Sequence, residues 1–176
     1  KHSRDTIIKD IKINNEIKWQ DKILAQLVIY KKKAPYYNEV ITLLKELFSK
    51  EFNYITDLNK KSVELVCDYL GIEHDIQVFS KMDLEIETPT APDEWALNIC
   101  KEMGNVKEYW NAQGGEDFFN KHKYQSNGIE LKFLNQKTME YKQLGGQFEA
   151  GLSILDTMMF YSSEELGKEL DRFDLK

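Results

Sequence analysis

The residue types able to do chemistry in this chain fall in three polar stretches. The first is Ser80-Lys81, a hydroxyl and a cation that could meet a phosphate or a carboxylate. The second is NAQGGED, where Asn111 precedes Gly114 and Gly115. Two glycines at a helix start leave backbone N–H groups open to an anion, although glycines serve any tight turn equally well. The spacing fits neither a phosphate-loop nor a dinucleotide-binding pattern. The third is NQKTMEYKQLGGQFEAGLSILD. Tyr141 and Gln143 there offer hydrogen bonds and an aromatic face, as pockets for sugars or bases require. Asp156 is the acid–base candidate. Ser153 and Asp156 also read as S-x-x-D, a capping-box variant, so a structural reading stands beside the catalytic one.

The remaining reactive types are scattered. His2, His74 and His122 form no metal-ligand spacing, and no Ser-His-Asp or Cys-His set can be assembled from their order. No metal site is expected, and the sequence names no cofactor. His2, Ser3, Arg4 and Asp5 make a polar cluster at the start of the chain. Cys67 and Cys100 sit in apolar helical patterns and read as small buried hydrophobes in a reducing compartment.

Positioning these residues falls to alternating strands and helices. IIKDIKI (7–13) alternates like a half-buried strand. From Lys18 the spacing turns helical, with Trp19, Ile23, Leu27 and Tyr30 on one face as far as Lys31, Lys32 and Lys33. The three lysines suit the negative end of a helix dipole and read as a solvated terminus. Ala34-Pro35 breaks that helix. A second follows through YYNEVITLLKELFSKEF. A third begins at a Thr56 cap, carries Leu58, Val63, Val66, Cys67 and Leu70, and stops at Gly71. IQVFS (76–80), VKEYWN (106–111) and IELKFL (129–134) read as strands, with a helix from Trp95 to Met103, ended by Gly104, between the first two. LSILDTMMFYS and SEELGKELDRF close the chain as helices, the latter with Ser163 as cap. The expected fold is α/β over residues 1–176, a single domain. A mostly parallel sheet would carry helices on both faces, with an added three-helix section at 18–71. In such sheets ligands bind beyond the carboxyl ends of strands, which is where Ser80, Asn111 and the loop holding Tyr141 lie.

Charge and hydropathy exclude some classes. The 176 residues carry a net charge of −6, with 41% hydrophobic and 31% charged residues. That balance argues against nucleic acid as main partner and against a simple electrostatic attraction to anionic lipid. ILAQLVIY, the longest apolar run, is too short to cross a bilayer, and no signal peptide is visible, so a cytoplasmic location is expected.

Several motifs together resemble the WbqC-like family. YKKKAPYYNEV is similar to that family's segment of Tyr, basic residues, Ala-Pro and an aromatic pair, followed by LLKEL, DLN and a helix ending in LGI. IQVFS resembles its serine stretch, except that Lys81 stands where the family usually has a second serine. ICKEMG, EYWNAQGGEDF, GIELKF and EYKQLGGQFEAGLSILD complete the likeness over nearly the whole chain. The resemblance implies that an N-terminal strand and a Gln-Pro/aromatic/Gly-Tyr loop lie upstream of Lys1, with half of the site.

It also implies a role in bacterial surface polysaccharide, such as the O-antigen of lipopolysaccharide. The implied activity is a transferase, with aminoacyl (glycine) transfer to a sugar as one form. The expected partner is a nucleotide-linked or lipid-linked sugar, contacted by Tyr141, Gln143, Ser80, Asn111 and the Gly114-Gly115 turn. Two other readings stay open. One is a binding module that docks a polysaccharide-synthesis enzyme through Trp19, Tyr30, Tyr36 and Tyr37. The other is a nucleotide-dependent ligase or nucleotidyl transferase.

Overall fold

The computed structural model describes residues 5–137 and 139–176. His2, Ser3 and Arg4 of the N-terminal polar cluster lie outside the described residues. Among the described residues the chain is α/β, with seven α-helices and three strands. It divides into two compact units.

Unit 1 takes Lys1–Val78 and Thr138–Asp171. It holds α1 (Trp19–Leu27), α2 (Tyr37–Phe48), α3 (Ile55–Leu70), α6 (Ile154–Phe160) and α7 (Ser163–Leu170). Apolar residues at helical spacing on α2 bury Tyr37, Val40, Leu44 and Leu47. Tyr37, Val40 and Leu44 meet Met158 and Met159 of α6 and Leu166 of α7 in one cluster. Complete burial of side chains of this size contributes about 1.5–3 kcal/mol each. The helix ends follow their local chemistry. Gly71 adopts φ 68° at the end of α3, a left-handed conformation in which a side chain would clash with the backbone.

Four expectations for unit 1 need correction. First, α3 is capped at Tyr54, and it buries Leu65 while Val63 is 50% exposed. Second, α7 starts from Ser162, because S-x-x-E runs from Ser162 to Glu165 and that spacing closes a capping box. Third, α1 stops at Leu27 and tightens into a 3-10 turn at Val28–Tyr30 ahead of Pro35. Fourth, residues 7–13 form no sheet strand. Ile8–Asp10 is a 3-10 turn, and Lys12 makes a single antiparallel bridge to Tyr54. Ile11 and Ile13 are half-buried and Lys12 is exposed, so an alternation of environment exists over residues 11–13. Alternation reports a one-sided environment, and a ladder needs a partner strand as well.

Unit 2 takes Phe79–Lys137 and Arg172–Lys176. It holds α4 (Glu94–Met103), β1 (Glu108–Ala112), α5 (Lys121–Gln125), β2 (Glu130–Gln136) and β3 (Phe173–Leu175). β1 pairs in parallel with β2 through a crossover that contains α5, and β2 pairs antiparallel with β3. The sheet is therefore mixed rather than mostly parallel. The chain reaches β3 because the segment after α7 turns extended, where a longer helix was expected. Phe173 there packs edge-on to Trp110. IQVFS forms no strand: residues 76–78 are outside any ladder, and Phe79–Lys81 is a 3-10 turn. The core gathers Leu97 and Cys100 of α4, Tyr124 of α5, and Ile129, Leu131 and Phe133. Burial pushes the Cys100 thiol up, as befits a packing residue. No helix among the described residues is long and apolar enough to cross a membrane.

Candidate functional site

The strongest candidate site lies in unit 1 around Asp156. Ser153 caps α6 by accepting from the Leu155 N–H. This places Asp156 in the first turn, 6% exposed. The local S-x-x-D reading explains Ser153 but leaves the Asp156 carboxylate unused by the cap. Its two oxygens take phenols instead: the Tyr30 hydroxyl donates to Oδ2 and the Tyr141 hydroxyl donates to Oδ1, both at 2.5 Å. Thr157 Oγ1 lies 3.4 Å from the Tyr141 oxygen. Tyr30 comes from the 3-10 turn after α1, 126 residues away in sequence. No local sequence signal links Tyr30 to Asp156.

Aromatic packing holds the phenols. Tyr141 packs against Phe148, Phe160 and Tyr161 at centroid distances of 5.8, 6.0 and 5.7 Å. Tyr30 meets Phe160 edge-on at 6.2 Å. Burial first, then the Asp156 hydrogen bond and charge, push the Tyr30 phenol up to about 12. Burial and the same acid also raise Tyr141. Both phenols are therefore neutral near pH 7, each with one proton committed to Asp156 and lone pairs left to accept. Gln143 serves the loop: its amide donates to the Glu149 carbonyl at 2.9 Å and accepts from the Glu149 N–H at 2.8 Å. These two bonds close the turn that carries Gly145 and Gly146.

Ser80, Asn111, Gly114 and Gly115 belong to unit 2. Ser80 is exposed in its 3-10 turn. Asn111 pairs with Phe133 in register, and a Cβ on Gly115 would collide with its Nδ2. Asn111 and Gly115 thus touch, and that close approach calls for the glycine. Gly114 faces open space.

Unit 2 also contains an open polar cleft of about 690 Å³ that sequence reasoning missed, lined in part by Glu87, Glu94, Asn98, Lys101 and Lys123. Its charges are paired: Lys123 reaches Glu94 at 2.8 Å and buried Asp93 at 3.1 Å, and Lys101 reaches Glu87 at 2.7 Å. Glu94 also accepts from the Thr90 N–H and hydroxyl. The Lys123 hydrogen bond first, then those from Thr90, hold Glu94 down from 4.5 to about 2. A carboxylate lowered on folding adds stability above its unfolded value and loses that contribution as pH falls through the folded one. Unfolding followed by circular dichroism should therefore show stability declining from about pH 4.5 to about pH 2. Glu94→Gln should flatten that part of the profile.

The aromatic residues weighed for a docking module do not make one exposed patch. Tyr37 is in the core, Trp19 packs edge-on to Phe48, and Tyr30 is turned toward Asp156. Among the described residues no three His, Cys, Asp or Glu side chains gather to hold a metal ion.

The sequence matches the model of the WbqC-like protein family over residues 1–168. The chain belongs to the WbqC-like family. It is also similar to "Uncharacterized protein Rv1507c" of Mycobacterium tuberculosis (strain ATCC 25618 / H37Rv), with 23% identity over 133 residues. That alignment covers 74% of this chain and 55% of the relative, so the chain matches about half the relative's length. No solved structure matches the chain significantly.

Proposed function

We propose that this WbqC-like chain is part of a cytoplasmic transferase of bacterial surface-polysaccharide synthesis. Its substrate is a nucleotide-linked or lipid-linked sugar, and the group transferred is an aminoacyl group such as glycine. The observation that carries the reading is the buried Asp156 carboxylate held between two neutral phenols in a chain of this family. When an acceptor hydroxyl or amine attacks the acyl carbon of an activated aminoacyl donor, the new acyl bond forms, the old one breaks with its electron pair going to the donor's leaving group, and the acceptor must lose a proton. A phenol oxygen can take it while passing its own proton to Asp156, so the acid acts as a general base through tyrosine. Serine and cysteine nucleophiles are not needed, and positioning supplies the rest of the rate. In unit 2, Ser80, Asn111, Gly114 and Gly115 are proposed as further polar contacts for the same class of ligand.

Tyr141→Phe tests the reading, because the ring keeps its packing against Phe148, Phe160 and Tyr161 while the relay oxygen is removed. In calorimetric titrations with uridine- and guanosine-diphosphate sugars, the wild type should bind at least one. Tyr141→Phe should weaken that binding about tenfold, the worth of roughly one good hydrogen bond. Unchanged affinity in both Tyr141→Phe and Asp156→Asn would remove the site from the function.

A further inference from the structure

The turn that delivers Tyr30 to Asp156 carries a second feature on its outer side. Val28 and Ile29 are 53% and 65% exposed. Lys31, Lys32 and Lys33 follow at once, all exposed. Among the described residues none of these three ammonium groups joins an ion pair. This exposure does not come from a frayed end. Lys31 N–H donates to the Val28 carbonyl at 3.1 Å, and the N–H groups of Lys33 and Ala34 both donate to the Tyr30 carbonyl at 2.9 Å. Tyr30 and Ala34 anchor the turn from inside, with Ala34 buried in the core cluster. The result is a hydrogen-bonded turn with two exposed aliphatic side chains next in sequence to three uncompensated cations, on a chain whose net charge is −6.

We propose that residues 28–33 dock this protein on an anionic bilayer surface. Three lysines match lipid phosphates, and Val28 and Ile29 reach the boundary of the acyl chains. A small phosphate ligand would use the cations but leave the two aliphatic side chains in water, so the combination favours a membrane. Neither signal alone gives more than marginal attachment; together they give reversible attachment. The docking does not rest on the transferase reading.

Vesicle sedimentation of the whole chain tests it. Vesicles of phosphatidylcholine with phosphatidylglycerol should carry the protein down, and vesicles of phosphatidylcholine alone should not. Each lysine near an anionic surface adds about fivefold, so K31Q/K32Q/K33Q should lower partitioning on the order of a hundredfold. V28S/I29S should lower it as well, with both variants melting like the wild type. Added salt should release the unmodified protein, which gives the same answer without any substitution. Asp156→Asn should sediment like the wild type, which keeps a failure of the catalytic reading separate. Equal sedimentation with both vesicle types would overturn the proposal, and so would none with either. Amide shifts at residues 31–33 on adding inorganic pyrophosphate, without vesicle binding, would assign the turn to a free anion instead and would also overturn it.

Discussion

Asp156→Ala is expected to destabilise unit 1 by on the order of 3 kcal/mol, since a hydrogen bond to a charged group is worth about 1.5–3 kcal/mol and two are lost. Both phenols would be left half-buried without their acceptor. The substitution also removes two of the causes that hold Tyr30 near 12, while the largest, burial, stays. Its titration, followed by tyrosinate absorbance, should therefore fall from about 12 without reaching 10. The same linkage sets the alkaline limit of the wild type. A phenol raised on folding contributes fully below its unfolded value, and the contribution disappears as pH rises through the folded one. Stability should decline from about pH 10 to about pH 12, and less steeply in Asp156→Asn. A denaturant midpoint unmoved by Asp156→Ala would mean that the two phenols find other partners at no cost.

Phe133→Ala should cost about 3–5 kcal/mol, the range for removing a fully buried ring. Phe133 is 0% exposed at the centre of β2. It meets Phe119 edge-on at 6.2 Å, and Lys121 lies over its face at 5.4 Å. Its backbone bonds Lys176 in both directions, at 3.0 and 3.1 Å. Amide exchange should therefore speed up along β2 and at Lys176. By contrast, Leu131→Val should lose only about 1 kcal/mol, because it removes one methylene from the same face. Equal losses from the two substitutions would place the core of unit 2 elsewhere.

What could be read from the sequence was local. Helical spacing found α2 and most of its buried face. Glycines at 71 and 104 marked helix ends, and both take left-handed backbone there. Strand-like composition found β1 and alternation found β2, and Tyr109 and Leu131 pair in register. What could not be read depended on partners far along the chain. Residues 7–13 and 76–80 have strand-like composition, but no ladder forms on them beyond one bridge. β3 exists because β2 offers an edge to a short segment that looked like a helix end. In sequence alone, Asp156 has a local cap as the rival to its acid–base reading. The cap turned out to be the work of Ser153, and the acid belongs with Tyr30 and Tyr141. The polar cleft of unit 2 was invisible for a similar reason: its lining comes from residues 87–90, α4 and the α5 region together.

Carbon-13 resonances of the tyrosine ring carbons bearing the hydroxyls, recorded during titration with diphosphate sugars, interrogate the acid and its phenols most directly. Tyr30 and Tyr141 should shift together with a common dissociation constant, and Asp156→Asn should abolish the paired response. Saturation by a ligand that moves neither resonance would show that sugar recognition in this chain occurs away from Asp156.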